Sequence, residues 1–293
     1  MAMEISIASL RAFLPKRPAD GHKGTFGHLF VIAGSRGLTG AAKLACEGAA
    51  RSGVGLVTIG VPRPLGDIVA SSLTETMSLM LPSTQAETVS RAALDPALEF
   101  ASTKQAVVIG PGLSQHPGTQ AFILVFVHRC PAPILIDADG LNALSRKPNA
   151  LLARTTPCVL TPHPGEMARL VGMKTAEVQA DREGVARDVA SRYNCTVVLK
   201  GYRTVVADPS GEVCVNPRGN SGLAKGGTGD VLSGIIGGLM AQGLAPYPAA
   251  LLGVYLHGLA GDIAAREKTQ RGMTATDVVQ CLPAAWKIIE LET

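Results

Sequence analysis

Aromatic residues are scarce in this chain: one Trp, four Tyr and six Phe amount to 4% of 293 residues. Charge is sparse too, at 17% against 46% hydrophobic residues. A core of that composition is assembled from Val, Ile, Leu and Ala, which suits helices packed closely on a parallel sheet. It excludes a disordered chain. No basic run alternates with aromatics, and a net charge of +4 spread over scattered Lys and Arg leaves no footprint for nucleic acid. Cys46, Cys130, Cys158, Cys195, Cys214 and Cys281 stand far apart without a C-x-x-C pair. Thiols in apolar surroundings act as small hydrophobes. No sustained apolar stretch precedes Arg11 to serve as a signal peptide, so a reducing cytoplasm is the expected compartment.

Two further absences narrow the function. The chain has neither G-x-x-x-x-G-K-[ST] nor a G-x-G-x-x-G after its first strand, which disfavours a conventional hydride-transferring Rossmann enzyme. Between Asp230 and Asp262 there is no Asp, Glu, Lys or Arg, which invites a transmembrane reading. Gln242, Pro246 and Pro248 divide that stretch into two segments, each shorter than the roughly 20 residues a spanning helix needs. Two buried helices joined by a Pro-containing turn are expected there, and no membrane partner.

What is present repeats. Leu29–Ala33, Leu56–Ile59, Ala106–Ile109, Ile134–Ile136, Cys158–Leu160 and Thr196–Leu199 are continuous apolar runs, the mark of strands covered on both faces. Turns and helical stretches alternate with them, including a small-residue helix from about Gly40 to Ser52. That order predicts one α/β domain over 1–293 with a central, mostly parallel sheet and helices on both faces. Thr204–Ala207 and Glu212–Val215 bracket Asp208-Pro209-Ser210-Gly211 and predict a hairpin forming an antiparallel edge. Helices are expected near 228–242, 247–266 and 274–290, the last capped by Thr274 with Asp277.

In an open parallel sheet, ligands collect at the C-terminal strand ends. Gly34-Ser35, Gly110-Pro111-Gly112-Leu113, Asp137-Ala138-Asp139-Gly140, Thr161-Pro162-His163-Pro164-Gly165-Glu166 and Lys200-Gly201-Tyr202-Arg203-Thr204 all fall at such ends, which implies one cleft. The strongest element is Lys225-Gly226-Gly227-Thr228-Gly229-Asp230, running into an apolar helix. Its glycines let backbone N–H groups converge, and the helix N-terminus attracts an anion. Asp230 fits an anion site awkwardly. It is either a helix cap worth about 1 kcal/mol or a proton carrier worth about 10²–10⁴ in rate.

Smaller features have plain readings. His163, between prolines in a strand-end loop, suits a proton-carrying or orienting role. Asp137 and Asp139, two apart in an extended segment, would share a face, which fits either a metal pair or, more commonly for Asp, loop capping. His257 reads as a satisfied interior histidine, and Lys43 with Glu47 as a helix-surface pair. His22-Lys23-Gly24-Thr25 either touches phosphates or ties down the N-terminus.

The ordered set GPGL, DADGLNAL, TPHPGE, KGYRT and NPRGNSGLAKGGTGD, with HKGTFGHLFVIAGSRGLTGAA before it and YLHGLAGD after it, resembles the ADP/ATP-dependent NAD(P)H-hydrate dehydratase family of the ribokinase-like superfamily. The resemblance covers the chain from His22 to the last helix. It implies a ribokinase-like three-layer fold and ADP-dependent dehydration of (S)-NADH or (S)-NADPH hydrate, giving AMP and phosphate. It implies that Lys200, Gly201, Tyr202, Arg203, Thr204 and Gly229 contact the AMP portion of ADP or ATP. Gly226, Gly227 and Thr228 would complete the phosphate cradle. Ala41, Gly112, His163 and Asp230 would line the hydrated cofactor, with Asp230 as catalytic base. TPHPGE resembles the superfamily's TPNxxE, so Glu166 would organise Mg²⁺ through water, with His163 standing where that pattern has Asn. Residues before His22 are too few for the epimerase domain that precedes many relatives, so the epimerase acting upstream is expected as a separate chain. A homotetramer is expected by analogy. Two other readings remain: a hydroxymethylpyrimidine or hydroxyethylthiazole type of kinase, and a nucleotide-binding regulator without turnover.

Overall fold

The apolar runs become the middle of a single sheet in the computed structural model, which describes residues 2–152 and 154–291. Its strands are β1 (Met3–Glu4), β2 (His28–Ile32), β3 (Leu56–Pro62), β4 (Met77–Leu81), β5 (Ala106–Ile109), β6 (Ile134–Ile136), β7 (Cys158–Leu160), β8 (Thr196–Leu199), β9 (Val205–Ala207) and β10 (Val213–Val215). They lie in the order β1-β10-β9-β8-β7-β6-β5-β2-β3-β4. Only β9 runs against its neighbours. Val31, Val108 and Leu135 enter one core while Phe30, Ile32, Val107, Ile109, Ile134 and Ile136 enter the other. Successive side chains of a strand point to opposite faces, so two buried faces demand an unbroken apolar run.

Helices cover both faces. On one, Thr39–Arg51 and Thr228–Ala241 supply Ala42, Ala45, Ala49, Val231, Ile235 and Leu239. On the other, Pro117–Arg129 and Arg182–Tyr193 supply Phe122, Ile123, Ala186 and Val189. The first pair meets backbone to backbone. A Cβ on Gly234 would lie 1.9 Å from the Ala45 carbonyl oxygen, and one on Gly48 2.5 Å from that of Val231. The predicted cap of the last helix, Ala275–Leu291, is present. Thr274 N donates to Asp277 Oδ2 at 2.7 Å, and Asp277 N returns a longer bond to the threonine hydroxyl.

Three expectations change. The hairpin forms, with Val213 opposite Ala207, but β1 pairs parallel to β10 beyond it, so the hairpin is not the margin. Two residues held by non-local pairing leave no local signal. β4 was also unforeseen, because Met-Ser-Leu-Met-Leu has no β-branched residue and lies on the far edge. Third, the two buried helices joined by a Pro-containing turn form as expected, but the second is assigned over Pro246–Gly272, with one non-helical residue at Thr269, and so exceeds the length expected of it. By length and composition it could cross a bilayer, yet 78% of its apolar window is buried inside the fold. Burial, not length, makes it a core helix.

Gly234→Ala gains helix propensity of about 1 kcal/mol but forces two backbones apart. We expect a net loss of about 2 kcal/mol, read as a lower urea midpoint with an unchanged slope.

Candidate active site

Because β2, β5, β6, β7 and β8 are mutually parallel, the loops that follow them emerge at one pole. β10 points the same way, which adds Asn216 and the residues after it. The His22–Thr25 turn precedes β2 and therefore lies at the opposite pole. Its His22 Nδ1 accepts from Gly24 N at 3.1 Å, and a Cβ on Gly55 would strike the Lys23 carbonyl. That loop ties the N-terminal segment to the sheet and leaves the phosphate reading without support.

At the active pole the glycine loop is held by its own side chains. Thr228 Oγ1 donates within the loop, 2.7 Å from Leu223 O and 3.0 Å from Lys225 O, while Lys225 Nζ bonds Arg271 O and Met273 O. The Thr228 hydroxyl proton is thus spent inside the loop, and Lys225 is held by two carbonyls with one N–H of its ammonium left over. Gly227, at φ 94°, is the N-cap of Thr228–Ala241, and Asp230 is the third helical residue. Among the described residues, the N–H groups of Thr228, Gly229 and Asp230 have no protein partner; the first return bond is Val231 N to Gly227 O. The loop thus presents backbone donors and a helix dipole, as anion binding requires. Asp230 is not a cap.

Behind the loop lies a buried charge cluster. Asp137, 1% exposed, accepts from Lys200 Nζ at 2.7 Å on Oδ1 and from Ser233 Oγ at 2.7 Å on Oδ2. Lys200 Nζ is also 3.8 Å from Glu166 Oε2. Burial alone would lower the Lys200 pKa, but Asp137 and then Glu166 outweigh it, so the shift is upward and the ammonium stays charged. Asp230 is pushed up to about 7, first by burial and then by Asp137, with Lys200 pulling the other way. A carboxyl poised near neutrality suits general base work. Asp139 does not share Asp137's face, as extended geometry would have it. Ala138 at φ 47° turns the chain, and Asp139 accepts instead from Ser114 N at 2.8 Å and Asn142 Nδ2 at 3.1 Å.

His163 occupies the N-cap of the helix Pro164–Val171. Its Nδ1 accepts from Gly165 N at 3.0 Å and Glu166 N at 3.3 Å, and Glu166 Oε2 accepts in return from His163 N at 2.8 Å. The ring nitrogen therefore does what an Asn oxygen does at an N-cap, which accounts for His at the Asn position of the pattern. Burial lowers its pKa, against the pull of Glu166. The ring is neutral with its proton on Nε2, whose side chain remains half exposed.

Beside the loop opens a cleft of about 480 Å³, lined among others by Lys200, Tyr202, Asn216, Arg218, Leu232 and His257. That volume is in the range of small-molecule sites. Arg182 braces its lip by donating to the carbonyls of Leu199, Tyr202 and Arg203. Arg203 pairs with Glu4 across to β1, and Tyr202 is 85% exposed. His257 is buried, with Nε2 3.0 Å from Thr228 O. Ala41 and Gly112 meet on the loop's other side: a Cβ on Gly112, at φ 60°, would lie 2.9 Å from Ala41 Cβ. Leu44, one turn beyond Ala41, abuts Gly227. Lys43 lies 3.7 Å from Glu47, as its spacing implied.

Sequence reasoning missed Arg182, Asn216, Arg218 and Asn220. Arg182 begins a helix and carries no motif. The others stand in the first half of NPRGNSGLAKGGTGD, which carries the resemblance without implying a role for them. Asp262 fixes that segment by accepting from Gly219 N at 3.1 Å and Asn220 Nδ2 at 3.0 Å.

No group of three or more His, Cys, Asp or Glu side chains able to hold a metal occurs among the described residues. Mg²⁺ seldom needs one, since it keeps waters and leans on one or two carboxylates plus substrate phosphates. Glu166 fits an outer position of that kind.

A family model described as NAD(P)H-hydrate dehydratase matches residues 29–284. The bifunctional NAD(P)H-hydrate repair enzyme Nnr of Moorella thermoacetica is 48% identical over 98% of this chain and 54% of its own length. The chain thus spans about half the length of the bifunctional relatives it matches. The ADP-dependent (S)-NAD(P)H-hydrate dehydratase of Bacillus subtilis is 38% identical, covering 96% of each chain. A crystal structure of the ADP/ATP-dependent NAD(P)H-hydrate dehydratase from Bacillus subtilis, co-crystallized with ATP/Mg²⁺, superposes with a TM-score of 0.84 at 34% identity over 98% of this chain and 99% of that one.

The cap assigned to His163 predicts that His163→Asn folds within about 0.5 kcal/mol of the parent. His163→Ala should lose about 1 kcal/mol in urea melts at pH 7.

Proposed function

Because the chain belongs to the NAD(P)H-hydrate dehydratase family, we propose that it converts (S)-NADH or (S)-NADPH hydrate back to the reduced cofactor at the expense of ADP, releasing AMP and phosphate. The observation that carries this reading is the placement of Asp230. Its carboxyl, poised near 7, sits in the first turn of a helix whose free N–H groups form an anion site.

Hydroxide is a poor leaving group from the hydrated ring, and phosphate is a better one. Asp230 takes the proton of the ring hydroxyl as its oxygen attacks the β-phosphorus of ADP, and the bond to AMP breaks. The ring-nitrogen lone pair then expels phosphate, and loss of a proton from the adjacent carbon restores the dihydropyridine. Backbone donors aimed at the transferring phosphoryl lower the barrier electrostatically. No covalent enzyme intermediate is needed.

In this reading Gly201, Tyr202, Arg203, Thr204 and Gly229 border the AMP portion, with the Arg203 side chain steadied at the surface by Glu4. Gly226, Gly227 and Thr228 cradle phosphate through N–H groups. Ala41, Gly112 and His163 line the hydrated nicotinamide, whose place on the Ala41 side is supported by the contact between Leu44 and Gly227. Mg²⁺ bound with the nucleotide would neutralise phosphate charge, with Glu166 holding it through water. The S form would be supplied by an epimerase activity acting upstream of this step. The six cysteines, all free and buried, support a reducing, cytoplasmic setting.

Incubation with NADH hydrate and ADP should restore absorbance near 340 nm and release phosphate. Phosphorylation of a thiazole or pyrimidine alcohol without that recovery would assign the chain to the kinases instead. The rate should rise with pH through about 7 as Asp230 ionises. Asp230→Asn should abolish turnover while binding nucleotide. The raised pKa means that folding favours the protonated carboxyl, so its stabilisation is present below the unfolded value of about 4 and is lost as pH rises through about 7. Asp230→Asn removes that cost and should be more stable than the parent at pH 8 by up to about 4 kcal/mol, the rise from about 4 to about 7 counted at about 1.4 kcal/mol per pH unit, read from urea melts.

A further inference from the structure

Lys200 is the first residue after β8, so a role shared with Gly201–Thr204 would place its ammonium at the lip of the cleft. Its side chain runs inward instead. Nζ lies 2.7 Å from Asp137 Oδ1, 3.8 Å from Glu166 Oε2 and 3.4 Å from where a Cβ on Gly229 would stand. The ammonium is therefore beside the floor of the glycine loop, at the level of the helix donors. An ammonium has three N–H bonds. One goes to Asp137, a second faces Glu166 at long range, and the third has no protein acceptor among the described residues. The side chain keeps 19% of its surface exposed, and Lys200 lines the cleft.

Charge makes that third donor consequential. Asp137, Asp139, Glu166 and Asp230 all act on the same small volume, and Lys200 is the cation set among them. An anion site walled by carboxylates repels a polyphosphate unless a fixed positive charge offsets them. Ser233 locks the other oxygen of Asp137, so the lysine hangs from a carboxylate that cannot swing away.

We propose that Lys200 is an internal cation that binds the transferring phosphoryl group beside Asp230, rather than a contact for the AMP portion of the nucleotide. This rests on the phosphoryl-transfer reading above. Held by Asp137, it meets the phosphoryl oxygens without reorganisation, and a preorganised donor of this kind is worth about 10²–10³ in rate. No bond to Lys200 forms or breaks.

Calorimetric titration of AMP and of ADP separates this from an AMP contact. Lys200→Met should keep AMP affinity within about threefold, lose at least tenfold for ADP, and lower kcat with NADH hydrate about 10²–10³-fold. Propylammonium, which replaces the missing part of the side chain, should restore part of the Lys200→Ala turnover, whereas tetramethylammonium should not. Equal weakening of AMP and ADP, or turnover within tenfold of the parent, would overturn the proposal. Should the single variants fail to fold because Asp137 is left buried and unpaired, Asp137→Asn/Lys200→Met removes both charges. The same AMP-against-ADP comparison then decides. If the parent itself shows no turnover with NADH hydrate, the dehydratase reading fails, while the binding comparison still tests Lys200.

Discussion

The buried bond between Asp137 and Lys200 is the constraint on which the rest of the active pole depends. It joins the end of β6 to the end of β8, two strands separated by β7. Through Ser233 it also reaches the helix that carries the glycine loop. Breaking one partner of such a pair leaves an uncompensated buried charge, which costs several kcal/mol. The strand ends, the loop and the base are therefore registered against one another by a single carboxylate with both oxygens occupied. Ala138, at φ 47° and ψ −115°, a sparsely populated region that costs about 1–3 kcal/mol, is the turn that lets Asp137 point inward while its neighbour Asp139 braces the Gly110–Ser114 loop.

Much of this could be read from the residues. Ala106–Ile109, Ile134–Ile136, Cys158–Leu160 and Thr196–Leu199 are strands with the bounds their apolar runs mark, because a strand buried on both faces writes its whole length in the sequence. Glycine and acid clusters at strand ends were equally legible, since a parallel sheet sends its loops to one pole. The limits are physical as well. β1 exists only through pairing with β10, and β4, partly exposed, has no need of β-branched residues. Which way a side chain leaves its loop was also hidden: Lys200 and Arg203 are three apart, yet one turns into the charge cluster and the other out to Glu4. The capping role of His163 could have been suspected from Glu166 three residues on, the spacing of a capping box.

Electrostatics at the pole set activity against stability. Burial and neighbouring carboxylates make an ionised Asp230 costly in the folded chain, and that cost is what holds its proton affinity near neutrality. A site arranged only for stability would carry an amide there, or would place Lys200 on Asp230 rather than on Asp137.

The glycine contacts between the helices Thr39–Arg51 and Thr228–Ala241 have a mechanical consequence. With backbone pressed on backbone at Gly48 and Gly234, no compliant side-chain layer lies between them to absorb a shift. The phosphate-binding loop at the head of the second helix is thus the anvil of the site, fixed to the sheet. Fitting to ligands of different length or shape falls to the opposite lip, where Tyr202 stands in solvent and a single arginine, Arg182, braces the turn.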